Sequence, residues 1–64
     1  MKIKKTYYKI VPKLYRTDEY KDGNINLYEI DEEDNILRLF IGAGDKIRSL
    51  QNNCIGFKTL KEVI

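Results

Sequence analysis

The sequence predicts a small α+β domain: an antiparallel, meander-like sheet of three to four strands with one or two short C-terminal helical turns packed on it. Three observations predict it. Residues 24–30 and 36–41 are rich in Ile, Leu, Tyr and Phe, which suit a pleated, half-buried surface, and they flank an acidic turn. A second turn signal, Asp22-Gly23, lies between this hairpin and an earlier apolar stretch. After Gly42-Ala43-Gly44 the apolar residues change to a three-residue spacing, with capping residues in place.

The first segment, residues 3–11, interleaves Ile, Tyr and Val with lysines and reads as a strand. Pro12 cannot donate to a ladder, so it marks an edge, a bulge or the strand's end. Leu14 and Tyr15 either begin a second strand or pin a loop to the core. If they begin a strand, residues 14–20 pair with 24–30 across Asp22-Gly23, where glycine reaches positive φ at no steric cost. In residues 36–41, Leu37, Leu39 and Ile41 share one face and Ile36, Arg38 and Phe40 the other. Residues 24–30 are less regular. Either both faces are partly covered, or a bulge near Leu27 and Tyr28 changes the phase.

The C-terminal third begins with a corner. Asp45 is placed to cap a short helix with Ile47 and Leu50 on one side, ending at Asn52-Asn53. Cys54, Ile55 and Phe57 suit a short strand. Thr59 and Glu62 have the spacing of a capping box before Leu60, Val63 and Ile64. The expected core is Ile10, Leu27, Ile30, Leu37, Leu39, Ile41, Ile47, Leu50, Phe57, Leu60 and Val63.

With 64 residues the chain is read as a single domain, residues 1–64. Such a domain buries only about 60% of the surface its unfolded chain exposes, so self-association is a natural supplement. One cysteine and no histidine exclude an internal disulfide and a Cys/His metal site. No cofactor is expected. No apolar run is long enough for a membrane span, and the lysine-rich start has no apolar core of a signal peptide, so cytoplasmic residence is expected. The abundance of Ile, Lys, Asn and Tyr suggests an AT-rich coding bias, as in low-GC bacteria, their phages and plasmids.

No motif carries a chemistry. Gly42 and Gly44 supply two glycines of a dinucleotide fingerprint, but Ile47 stands where the third is needed. Asp31, Glu32, Glu33 and Asp34 are consecutive rather than spaced as calcium ligands, and read as a solvated hairpin tip. Cys54 lacks a histidine to activate it and reads as a small apolar residue. The acids of 18–22 and 29–34 read as exposed, hence untuned for catalysis, and no enzyme is expected.

Charge is unevenly laid out: +6 over residues 1–16, −7 over 17–35 and +3 over 36–64. Within a meander these blocks could neutralise one another across the sheet. Two functional readings stand beside that one. In the first, the chain is a non-catalytic protein-binding accessory or inhibitor, phage- or plasmid-encoded and aimed at a host protein, and itself a homodimer. Its binding face would comprise Lys4, Lys5, Tyr7, Tyr8, Lys9, Lys13, Tyr15 and Arg16, with Asp31, Glu32, Glu33 and Asp34 as an acidic contact. In the second, the same Lys/Tyr strand binds nucleic acid, cations meeting phosphates and tyrosines stacking on bases.

Overall fold

A computed structural model of the chain describes residues 3–64. Four strands, β1 (Lys4–Ile10), β2 (Lys13–Glu19), β3 (Ile25–Ile30) and β4 (Ile36–Phe40), form one antiparallel meander in the order β1-β2-β3-β4. Two helices follow, α1 (Gly44–Asn53) and α2 (Leu60–Val63). The α+β reading is therefore correct, and Leu14 and Tyr15 belong to a full strand.

Turn chemistry sets the register. Val11 and Pro12 turn β1 into β2, so that Ile10 pairs with Lys13. Gly23 has φ of 92° in the β2–β3 turn, where Asp22 accepts the Asn24 backbone N–H at 3.0 Å. The expected phase change is a bulge between Glu29 and Ile30 in the β3–β4 ladder, not one at Leu27 and Tyr28. Both faces of β3 are also partly covered, as its burial pattern shows.

Alternation along the strands sends neighbouring side chains to opposite faces, and each face has its own core. On the front, Tyr8, Tyr15 and Leu27 pack with Ile47 and Leu50 of α1, and Phe40 and Cys54 lie against them. On the back, Tyr7, Leu14 and Ile30 pack with Val63 of α2, flanked by Tyr28, Phe57 and Leu60. The chain reaches the back by passing around the outer edge of β1. There Tyr7 and Phe57 exchange two backbone hydrogen bonds, at 2.8 and 2.9 Å. The strand expected at Cys54, Ile55 and Phe57 is thus a single bridge.

Four expected core residues are not core. Ile10, Leu37, Leu39 and Ile41 are exposed. Ile10 ends its strand, and the other three lie on or just past β4, the edge strand, beyond the apolar cluster that α2 closes. Tyr7, Tyr8, Leu14 and Tyr15 fill the core instead. Helix α1 starts at Gly44 behind Ala43, so Asp45 sits in the first turn rather than at the cap. In α2 the Thr59 hydroxyl accepts the Glu62 N–H and donates to the Glu62 carboxylate at 2.9 Å, a local variant of the expected box.

The tail crosses β1 closely at Gly56. A Cβ there would lie 2.6 Å from the Thr6 methyl and 3.3 Å from the Tyr8 ring. Gly56→Ala is expected to cost about 1–3 kcal/mol by overpacking. Thr6→Ser removes the nearer obstacle, so the double variant should recover part of that loss in a urea-unfolding cycle.

Candidate protein-binding edge

β4 is the open side of the molecule. Among the described residues it has one neighbour, β3, whereas the opposite edge strand is covered at its middle by Phe57. An uncovered edge offers unpaired N–H and C=O groups to another chain, and natural edges usually carry lysine, proline or a cover. β4 carries Ile36-Leu37-Arg38-Leu39-Phe40, with one charge. Ile36, Leu37 and Leu39 are 52, 59 and 49% exposed, and Ile41 just beyond is 91% exposed. Leu39 pairs with Tyr28 and so shares the back face. Arg38 lies on the front opposite Glu29, its guanidinium 4.6 Å from the centre of the Phe40 ring.

The hairpin tip before β4 is built by its own acids. Asp31 accepts the backbone N–H groups of Glu33 and Asn35 and the Asn35 side-chain amide, at 2.8–3.0 Å. Those bonds with Asn35 and Glu33 favour the ionised form and hold the Asp31 pKa below its usual value. Asp34 adopts φ of 66°, a left-handed conformation that Asp tolerates better than most residues. Its carboxylate accepts from Arg16 Nη1 at 2.7 Å and from the Tyr7 hydroxyl at 2.8 Å. Arg16 also holds Asp18 in a two-bond fork at 2.9 and 3.1 Å, and its guanidinium lies 5.1 Å from the centre of the Tyr28 ring. Burial alone would lower the Arg16 pKa. The bonds to Asp34 and Asp18 outweigh it and hold the guanidinium more firmly charged than usual.

This arrangement redraws the expected sites. Tyr7, Tyr8, Tyr15 and Arg16 are buried, with Tyr7 and Arg16 in the back and Tyr8 and Tyr15 in the front. They cannot form one face with the lysines, because strand alternation divides them and a helix covers each side. Asp18, expected to be exposed, is buried in its fork with Arg16. Lys4 and Lys5 stand opposite Glu19 and Asp18 in the β1–β2 register. Lys9 and Lys13 share the rim of an open groove with Asp31, Glu32 and Glu33, over a floor that includes Leu14, Ile30 and Leu37. Among the described residues, no three acidic or cysteine side chains converge as metal ligands, and no helix is long and apolar enough to cross a membrane. Comparison with protein-family models, curated proteins and solved structures finds no match. The functional reading therefore rests on the chain's own geometry.

Two expectations follow from the ion cluster. Arg16→Met leaves Asp18 buried without its cation and should cost about 3–5 kcal/mol in chemical unfolding. Tyr7 and Tyr8 have pKa values raised above 10.0, both chiefly by burial, with the Asp34 hydrogen bond and charge adding to the shift at Tyr7. Above that pH the unfolded chain loses these protons first. Stability should thus be complete below pH 10.0 and decline as pH rises past it. The decline should be shallower in Tyr7→Phe, as followed by alkaline unfolding alongside tyrosinate absorbance.

Proposed function

We propose that the chain is a non-catalytic protein-binding domain, of accessory or inhibitory kind, that presents β4 and its exposed leucines to a protein partner. The observation that carries this reading is the contrast between the two edges: β1 is covered at its middle, and β4 is open, apolar and nearly uncharged. Strand addition at such an edge uses main-chain hydrogen bonds for affinity and alternate side chains for specificity. The burial of Tyr7, Tyr8 and Tyr15 weighs against base stacking, since those rings present no open platform. The carboxylate of Asp31 serves the hairpin turn, and those of Asp18 and Asp34 serve Arg16, uses that fit a structural role.

The test is affinity capture from a bacterial lysate, with the wild-type chain and a Leu37→Lys/Leu39→Lys variant as baits. One protein recovered in proportion to wild-type bait, resistant to nuclease and lost with the variant, is the expected result. Recovery of nucleic acid alone, or of the same protein by both baits, would overturn the reading.

A further inference from the structure

β4 is complementary to itself, and we infer that its occupant is the β4 of a second copy, paired antiparallel about a two-fold axis through Leu39. The inference rests on the reading of β4 as a protein-binding edge and names the partner. A two-fold axis that continues a sheet runs perpendicular to it, so equivalent residues keep the same face. The possible registers then centre on one residue of β4. Centring on Arg38 sets two guanidinium groups directly opposite each other, which is unfavourable. It also uses Ile36, in the stretch of β4 that the bulge displaces from regular pairing with β3. Centring on Leu37 draws the pairing wholly into that stretch.

Centring on Leu39 keeps Arg38 off its own copy and Ile36 out of the pairing, and leaves Leu37, the extra residue of the bulge, at the end of the paired stretch. On the back, Leu39 meets its own copy, and the pair is flanked by exposed Leu37 and, just past the end of β4, by exposed Ile41. On the front, Arg38 meets Phe40 of the second copy, extending the cation–aromatic contact it already makes within its own chain. Leu39 thus gains an apolar complement and Arg38 an aromatic one, a ring that Lys46 also approaches to 4.7 Å, and no two guanidinium groups stand directly opposite each other. The two α1 helices stay on one face of a continuous eight-stranded sheet. A short chain that buries little of its own surface gains most from such an extension.

The test uses the full-length chain. Sedimentation at micromolar concentration should give twice the 7.6 kDa of one chain, and Leu39→Lys should return it to a single copy with its circular dichroism unchanged. With the natural thiol removed by Cys54→Ser, a cysteine in place of Leu39 should oxidise to a linked dimer, because directly opposed Cα atoms lie about 4.5–5.5 Å apart. A cysteine in place of Arg38 should not, since its nearest copy is a diagonal neighbour about 7–8 Å away. A single copy of the wild-type chain, a dimer that persists in Leu39→Lys, or equal linking through position 38 would overturn the inference. A single copy that still captures another protein through β4 would do so while leaving the protein-binding reading intact. A dimer that captures nothing else would support the inference and overturn only the accessory or inhibitory role, β4 still being an edge that binds a protein.

Discussion

A sheet has two faces, and here both must be closed by one short chain. That constraint shapes everything after β4. The last residues of the chain are divided between the faces, α1 on the front and α2 on the back. The route between them runs around β1, the edge nearest the end of α1's packing partners Tyr8 and Tyr15. Because each helix covers only part of its face, β2 and β3 receive most of the burial. Five consecutive residues of β2, Leu14 to Asp18, are buried, which no single-faced sheet would require.

Burial on both sides of β2 explains why an ion cluster lies inside so small a protein. Arg16 and Asp18 alternate with Tyr15 and Thr17, so they occupy the back face wherever β2 is central. They are tolerable there because the fork between them is complete and Asp34 supplies a second anion. Removing charges from water is costly, and such a cluster is weak evidence of added stability. Its clearer effect is positional. It ties the β3–β4 turn to β2, across an intervening strand, and so fixes where β4 begins.

Much of the fold was legible in the sequence because turn chemistry is local. Asp22-Gly23 and the acids of 31–34 act on their own neighbours, and each placed a turn where one is found, while Pro12 marked an edge, a bulge or a strand's end and β1 ends two residues before it. What failed was burial. Leu37 and Leu39 carry the same alternation as a buried strand, and alternation states which side chains share a face, not whether anything covers it. Tyr7, Tyr8 and Tyr15 looked like a surface because lysines surround them. The lysines do point outward, but the rings anchor two cores, a fact that depends on helices some forty residues later. Asp34 looked like one of four equivalent tip acids. Only its left-handed backbone, which turns it toward Arg16, sets it apart. The open edge carried one usable signal: a strand with a single charge and no proline beside a chain otherwise rich in lysine.

The pairing of Tyr7 with Phe57 has a consequence for how the molecule opens. All three hairpins join residues close in sequence, whereas this bridge joins the two ends of the chain, and closing so long a loop costs entropy that local turns avoid. The bridge is therefore placed as a latch over a sheet whose own turns are local. When it releases, the back core loses Phe57, Leu60 and Val63 together while the front core keeps α1. Among the hydrogen-bonded amides, exchange is expected to be faster at the bridge than in β2 and β3, each of which has a strand on either side.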